Sequence, residues 1–230
     1  MKFSLAILIV FIAVSQIRGS NAAFHTDKFG EEKIGGYVVR NNVWGDGAGS
    51  QNITVTDQGH WCIHCSHLKQ GGIKSYPHTG YMINKPLSAI HGLTSTYGAK
   101  VDNKQGLLAY SLTYDIWLQK HKYEIMIWVQ YCGPIGPIGG RTNDNVQIAG
   151  YKWNVHKGTN GVNQVFSFLN VGQSEKGSID LKAILDWICQ QNWFNEKEAT
   201  LLDEVQFGFE ITNSPANTNF CLNDFSCTVK

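Results

Sequence analysis

A single glutamate stands in an unusual row of side chains in the middle of the sequence. Residues 123–131 alternate with the period of a β-strand, and one of their faces is wholly apolar or aromatic. The other face carries Glu124, Met126, Trp128 and Gln130. Sugar rings lie on aromatic side chains through their CH faces, and their hydroxyls need polar partners. The row suits a sugar-binding cleft, although a half-buried strand with one exposed glutamate is the simpler interpretation of this stretch alone.

A second glutamate occupies the same kind of position near the C-terminus. Residues 205–212 read VQFGFEIT, so Glu210 shares a polar face with Gly208, which leaves room for another molecule to approach. Two carboxyl groups that face one groove are the minimum needed to hydrolyse a glycosidic bond. Asp115 adds a third carboxyl, since a short polar turn joins its alternating stretch to that of Glu124. A hairpin would place these two side chains close together.

Strands must therefore position these groups. The chain has 230 residues, of which 24 are Gly. Hydrophobic residues make up 43% of the sequence and charged residues 16%. Ten or more alternating stretches and one helix, at residues 178–194 with Ser178 as its cap, predict one all-β domain of two curved, stacked antiparallel sheets. The net charge is +1 without a basic patch, so we expect no nucleic-acid partner.

The first 22 residues have the features of a secretory signal peptide. Lys2 precedes an apolar run at residues 3–14, and small residues follow it. This run is too short to span a bilayer, and no later run is long enough. We therefore expect a signal peptide at residues 1–22 and one catalytic domain at residues 23–230, secreted as a soluble monomer with no membrane partner. Asn52 begins an N-glycosylation sequon.

Six cysteines, at positions 62, 65, 132, 189, 221 and 227, predict disulfides in a secreted chain. Up to three bonds can form in 15 pairings, and Cys221 with Cys227 is one possibility. Histidines and cysteines alternate over residues 60–67, which also suggests zinc ligation. The two faces of a strand would separate these side chains, so disulfides are the better interpretation. We expect no metal site and no cofactor.

Seven short motifs, in order along the chain, resemble glycoside hydrolase family 12. They are NNVWG at 41–45, KSY at 74–76, YD at 114–115, YEIMIW at 123–128, GPIG at 136–139, QVFSF at 164–168 and QFGFE at 206–210. The resemblance covers nearly the whole chain after about residue 36. It implies a β-jelly roll with a concave cleft and one α-helix on the convex side. It also implies endo-hydrolysis of β-1,4-glucan with retention of the anomeric configuration.

The resemblance assigns roles by position in these motifs. Glu124 would be the nucleophile, Glu210 the general acid/base, and Asp115 an auxiliary carboxylate beside the nucleophile. Retention requires the two glutamate carboxyls to lie about 5–5.5 Å apart. The residues expected to bind substrate are Asn42 and Trp44 on the non-reducing side, Met126 and Trp128 on the floor, and Pro137 and Ile138 on the wall.

The sequence also departs from the family pattern. Phe209 and Ile211 flank Glu210 where the family commonly has a small residue and Pro, and the turn between Asp115 and Glu124 is short. By alternation Phe209 points to the core, which is compatible with catalysis. Two alternatives stay open. One is a xyloglucan-specific or mixed-linkage endoglucanase of the same family. The other is a sugar-binding or host-recognised secreted module that has lost catalysis, which the presence of all three carboxyls argues against.

Overall fold

Two packed β-sheets make up the fold. The computed structural model describes residues 22–102 and 106–230, so the predicted signal peptide lies, apart from its last residue, outside the described residues. The strands are β1 (Ala23–His25), β2 (Glu31–Ile34), β3 (Tyr37–Arg40), β4 (Gln51–Asp57), β5 (His60–Cys65), β6 (His78–Pro86), β7 (Leu93–Val101), β8 (Ala109–Leu118), β9 (Tyr123–Cys132), β10 (Gly140–Ile148), β11 (Tyr151–Thr159), β12 (Gln164–Asn170), β13 (Lys176–Asp180), β14 (Leu201–Asn213) and β15 (Thr218–Val229). The helix is α1 (Leu181–Gln190), and short 3-10 turns occur at Leu87–Ala89 and Lys197–Ala199.

The six-stranded sheet has the order β1-β4-β5-β15-β7-β13, and the nine-stranded sheet has the order β10-β11-β12-β9-β8-β14-β6-β3-β2. Strand β12 pairs with β9 in parallel, and the other pairs are antiparallel. The all-β prediction with two sheets and one α-helix is therefore confirmed for the described residues. This sheet order places β8 between β9 and β14, the two strands that carry the candidate glutamates.

Alternation decides which side chains enter the core between the sheets. On β9 the apolar face is buried, and on β14 it is buried as well: Tyr123, Ile125, Ile127, Val129, Val205, Phe207, Phe209 and Ile211. Successive side chains of a strand point to opposite faces, so burying this set turns the intervening residues to the outer face of the nine-stranded sheet. Phe209 does point to the core, as expected.

The helix is shorter than the sequence pattern predicts. Asp180, not Ser178, is its N-cap, and Asp180 Oδ1 accepts a hydrogen bond from the backbone N–H of Ala183 at 3.1 Å. Ser178 instead belongs to β13, where it pairs with Thr96 of β7. The helix ends at Gln190, before Asn192 takes a positive φ of 55°. Strand pairing thus overrides the first candidate cap.

Two other stretches also differ from their prediction. The pattern of residues 87–97 predicts a strand, but this stretch begins with the 3-10 turn Leu87–Ala89 and becomes a strand only at Leu93. The polar character of residues 24–32 predicts a loose lead-in, but most of β1 and the start of β2 lie there. Strand β1 forms because it pairs with the distant β4, whereas β2 forms a hairpin with the neighbouring β3.

One disulfide joins Cys62 to Cys221 within the described residues. The two cysteines lie directly opposite each other on β5 and β15. The Cys221–Cys227 possibility is wrong, because both residues belong to the extended strand β15 and Cys227 pairs instead with Ser95 of β7. The other described cysteines are free thiols: Cys65, Cys132, Cys189 and Cys227. Among the described residues no group of His, Cys, Asp or Glu side chains could hold a metal ion.

Removing this disulfide should lower stability substantially. The bond closes a sequence separation of 159 residues, and loop-closure entropy for so long a loop amounts to about 5 kcal/mol, with measured losses usually about 2–5 kcal/mol. We expect Cys62→Ser/Cys221→Ser to lower the Tm, measured by thermal unfolding, and the free energy of unfolding, measured by denaturant titration. Cys132→Ser removes an exposed free thiol and serves as the matched control. Equal unfolding midpoints for the double variant and this control would contradict the prediction.

None of the helices in the described ranges has the length and apolar character that crossing a bilayer requires.

Candidate active site

A cavity of about 590 Å³ opens on the outer face of the nine-stranded sheet. Four carboxylic side chains line it: Glu124 from β9, Asp115 from β8, and Glu204 and Glu210 from β14. The hairpin that the sequence predicts is present, since β8 pairs antiparallel with β9. Its register places Trp117 opposite Glu124, and the pairing of β8 with β14 places Gln206 opposite Asp115. Opposite residues of an antiparallel pair share a face, so all of these side chains point toward the cavity.

Burial and mutual repulsion raise the proton affinity of this carboxyl cluster. Burial raises the pKa of Glu124 to about 7. Burial, and then the charge of Glu124, raise the pKa of Glu210 to about 7. Burial raises the pKa of Asp115 well above its usual range, and Glu124, Glu210 and Glu204 raise it further. Near neutral pH the cluster therefore retains protons, and one carboxyl can be ionised while another stays protonated.

An asparagine side chain approaches Glu124 from the loop between β11 and β12. Asn160 Nδ2 lies 3.5 Å from Glu124 Oε2, at the long limit of a hydrogen bond. Its amide is held in place, because Nδ2 donates to Asn163 Oδ1 at 2.9 Å and Oδ1 accepts from the backbone N–H of Val162 at 2.9 Å. Sequence reasoning missed Asn160. The available signal was the break at residues 158–161, bounded by two glycines, between two stretches with the alternation of strands.

A buried tyrosine borders the same cluster. Tyr76 lines the cavity, and its hydroxyl donates a hydrogen bond to the carbonyl oxygen of Thr113 at 3.2 Å. Burial raises the pKa of Tyr76, and the charges of Asp115 and Glu210 add to that effect, so the hydroxyl stays protonated. This phenol thus supplies a fixed polar atom next to the carboxyls.

The structure brings some of the expected substrate-binding residues to the cavity. Asn42, Trp44 and Ile138 line it, whereas Pro137 does not. The ring of Trp44 is 53% exposed. Its backbone N–H donates to the carbonyl oxygen of Lys74 at 3.1 Å, which ties the segment after β3 to the sheet.

Met126 and Trp128 do not reach the cavity, contrary to their expected place on its floor. Their exposed fractions are only 5% and 2%. They share the outward face with Glu124, but Tyr131 and Ile135 pack over them. Alternation identified their face correctly, yet it does not reveal that Tyr131, near the end of β9, and Ile135, after it, cover this face.

Sequence reasoning also missed two aromatic side chains of the cavity. Trp117 and His121 line the cavity with ring centroids 4.6 Å apart. His121 is the last of three consecutive residues with positive φ, of 55°, 55° and 66°. Such a turn is strained for residues other than Gly, and it holds the imidazole beside the indole. The sequence showed only a short polar turn here.

Phe29 is an exposed ring beside the segment of Asn42, and it is not one of the residues that line the cavity. The carbonyl oxygens of Lys28 and Gly30 accept hydrogen bonds from Val43 and Asn41, at 2.8 and 2.9 Å. Phe29 therefore lies opposite Asn42, and it is 68% exposed. Its segment had been interpreted as a loose lead-in, which is why the ring was not considered.

Trp44 offers a direct test of sugar contact. Stacking on an exposed indole contributes about 0.5–1.5 kcal/mol, so Trp44→Ala should raise KM for a soluble β-glucan about threefold to tenfold with little change in kcat. Phe24→Ala removes an equally exposed ring, 59% exposed, from β1 of the other sheet and is the matched control. Initial-rate kinetics measure both effects. An unchanged KM for Trp44→Ala would contradict contact between this ring and the glucan.

Comparisons with known proteins find relatives that match most of the chain. The sequence profile of Glycosyl hydrolase family 12 matches residues 35–230. The probable xyloglucan-specific endo-beta-1,4-glucanase A of Aspergillus terreus is 30% identical over 203 residues, covering 80% of this chain and 79% of that protein. The protein of the same description in Neosartorya fischeri is 28% identical over 100% of both chains.

Solved structures are also similar to this chain over most of its length. The xyloglucanase domain of NopAA, a type three effector from Sinorhizobium fredii, was solved in complex with cellobiose. It superposes with a TM-score of 0.84 and 33% identity, over 90% of this chain and 99% of that one. The catalytic domain of Humicola grisea Cel12A, in complex with a soaked thio cellotetraose, gives a TM-score of 0.81 and 26% identity over 90% and 99%.

Proposed function

Because the chain belongs to glycosyl hydrolase family 12, we propose that Glu124 and Glu210 hydrolyse internal bonds of a β-1,4-glucan by double displacement. The protein is a glycoside hydrolase of the endoglucanase type. One observation carries the residue assignment: both carboxyls line one cavity, on strands that flank the strand of Asp115. No other pair of acids in the sequence matches the family motifs at both positions.

In the first step, the ionised Glu124 attacks the anomeric carbon, and the bond from that carbon to the leaving oxygen breaks. Glu210 donates its proton to this oxygen, which leaves as a hydroxyl group on the departing chain. A glycosyl ester of Glu124 remains. The elevated pKa of Glu210, about 7, keeps that proton available near neutral pH.

In the second step, a water molecule loses a proton to Glu210 and attacks the anomeric carbon, and the ester bond to Glu124 breaks. The charge of Glu124 is one cause of the high pKa of Glu210. Esterification removes that charge, so the pKa of Glu210 falls once its proton has left, and Glu210 becomes a base when a base is needed. Two inversions restore the original anomeric configuration.

Asp115 has an auxiliary role in this proposal. Burial and the neighbouring carboxyls raise its pKa well above the usual range, which favours a protonated Asp115 beside an ionised Glu124. A neutral carboxyl beside Glu124 avoids a second negative charge and can donate a hydrogen bond to the nucleophile. Asp115 thus favours the charge state in which Glu124 reacts.

Two polysaccharides are candidates for the preferred substrate. The main one is an unbranched β-1,4-glucan, for which the cavity offers Trp44 as an exposed ring. The second is xyloglucan, because the similar fungal proteins are described as xyloglucan-specific and NopAA contains a xyloglucanase domain. We also propose that the chain is secreted, from the features of residues 1–22, and that it works as a monomer, since a single chain supplies both catalytic carboxyls.

A substrate panel tests this function. The protein is incubated with carboxymethyl cellulose, barley β-glucan and xyloglucan, and new reducing ends are measured against Glu124→Gln as a control for contaminating enzymes. Release from at least one polymer is expected, and proton NMR of the first product should show the β-anomer. Binding without product would favour a sugar-binding module, and an initial α-anomer would contradict double displacement.

A further inference from the structure

An ion pair that the catalytic mechanism does not use lies on the cavity wall. Arg40 Nη1 donates to Glu204 Oε1 at 3.0 Å, and Gln206 Nε2 donates to Glu204 Oε2 at 3.0 Å. Glu204 is 7% exposed, so its charge is largely removed from water. A buried carboxylate that loses its cation is strongly disfavoured, which makes this contact more than a surface salt bridge.

A histidine fixes the orientation of the guanidinium. Arg40 Nη1 lies 3.3 Å from His78 Nε2, and His78 Nδ1 lies 2.7 Å from the carbonyl oxygen of Tyr76. Arginine is always a donor, so Nε2 accepts and Nδ1 carries the proton. Burial, together with the charge of Arg40, lowers the pKa of His78 to about 4, so the ring is neutral over the working range.

Gly80 leaves the space through which the pair meets. Arg40 is on β3 and Glu204 on β14, and β6 lies between these strands. A Cβ atom at Gly80 would lie 2.1 Å from Glu204 Oε1 and 3.1 Å from Arg40 Nη1. Any larger residue would therefore separate the two charges. The ion pair therefore depends on Arg40, Gly80 and Glu204, which are far apart along the chain.

The Arg40–Glu204 ion pair matters because of the other charges around the cavity. The cavity lining includes four carboxyl groups, and Arg40 is the one Lys or Arg among the described residues that line it. We propose that Arg40 and Glu204 are a positioning pair that sets the pH range in which the catalytic carboxyls ionise. Arg40 offsets part of the charge of Glu204, so the fourth carboxylate adds less to the repulsion between the other three than it would without its partner. This inference rests on the proposed function of Glu124 and Glu210.

The expected direction follows from charge alone. Without Arg40, the charge of Glu204 is uncompensated and disfavours ionisation of its neighbours, so both limbs of the pH profile move to higher pH. Without Glu204, Arg40 keeps, among the described residues, only its ion pair with Glu31 at 3.5 Å, so its positive charge favours ionisation of the cluster and both limbs move to lower pH. A unit charge about 12 Å from a carboxyl shifts its pKa by about 1 unit at an effective dielectric constant of about 20, and by less at a higher one, so we expect shifts of about 0.5–1 pH unit. The titratable and charged groups that face the pair or the cluster are Glu31, Tyr76, His78, Asp115, His121, Glu124 and Glu210.

Four variants test the pair. They are Arg40→Met, Glu204→Gln, the double variant, and Arg141→Met as the matched control. Arg141 pairs with Asp144 on β10 at 2.9 Å, with 51% and 59% exposed side chains, outside the cavity. The pH profile of kcat/KM on barley β-glucan is measured for each folded variant. Carboxyl carbon NMR titration of the same proteins reports the ionisation directly and needs no turnover.

Opposite shifts in the two single variants, with the double variant and Arg141→Met near the wild type, are the expected result. Unshifted profiles, shifts in the same direction, or a lower rate at every pH without a shift would overturn the proposal in favour of a merely structural pair. If Arg40→Met does not fold, Glu204→Gln alone must still move the titration to lower pH. A wild-type protein that releases no reducing ends would refute the proposed function, while the NMR titration would still decide the role of the pair.

Discussion

Glu124→Gln should lower kcat on barley β-glucan by several orders of magnitude and leave the fold intact. The amide has nearly the same size as the carboxyl but cannot form the glycosyl ester, and removing a nucleophile eliminates the route rather than slowing one step of it. Initial rates, with affinity for cello-oligosaccharides measured separately by calorimetry, distinguish lost chemistry from lost binding. Substantial residual turnover by Glu124→Gln would remove Glu124 from the nucleophile role.

The same variant has a stability effect whose sign can be worked out. Burial raises the pKa of Glu124 to about 7 in the folded state, above the value of about 4.3 for an unfolded chain. The folded state therefore binds the proton more tightly, and stability falls as pH rises from about 4.3 to 7. Glutamine does not titrate, so the Tm of Glu124→Gln relative to the wild type should increase between pH 5 and pH 8. A Tm difference that stays constant would contradict this linkage.

Glu210→Ala should separate substrates by their leaving groups. Polymer hydrolysis needs a proton on the leaving oxygen and should fall by roughly 10²- to 10⁴-fold, the usual contribution of general acid catalysis. An aryl glycoside with an acidic phenol needs no such proton, so the first step on it should be largely spared. Added azide should then accelerate turnover and yield a β-glycosyl azide, because azide attacks the ester without a general base.

The control for this prediction is Glu198→Ala, which makes the same substitution at an exposed residue in the turn Lys197–Ala199. It should leave both substrates unaffected. Equal losses on polymer and aryl glycoside for Glu210→Ala would contradict the acid/base assignment. The absence of any azide product would do the same for the second step.

Sequence alone placed the two glutamates correctly because strand periodicity is a local property. Once Phe207 and Phe209 are buried, the residue that follows Phe209 must point the other way. Asp115 followed from the same rule and a short turn. Glu204 was missed, although it lies two residues before Gln206 on the same face, because the alternation was followed only from Val205.

Contacts between distant segments account for the remaining differences. Trp128 has the expected orientation, but Ile135 packs over it, and no pattern within β9 could reveal this. The disulfide partner of Cys62 depends on β5 and β15 becoming neighbours, which is a property of topology. Arg40 shows no signal in its own strand, because its importance comes from Glu204, 164 residues away.

The position of the last two strands has a consequence for biosynthesis. Strand β15 lies between β5 and β7 in one sheet, and β14 lies between β8 and β6 in the other. Until residues 201–229 have been synthesised, each sheet lacks one strand, and the backbone groups along the neighbouring strand edges are unpaired. Assembly is therefore dominated by long-range pairing, which makes folding slow and leaves unpaired strand edges exposed until β14 and β15 are in place.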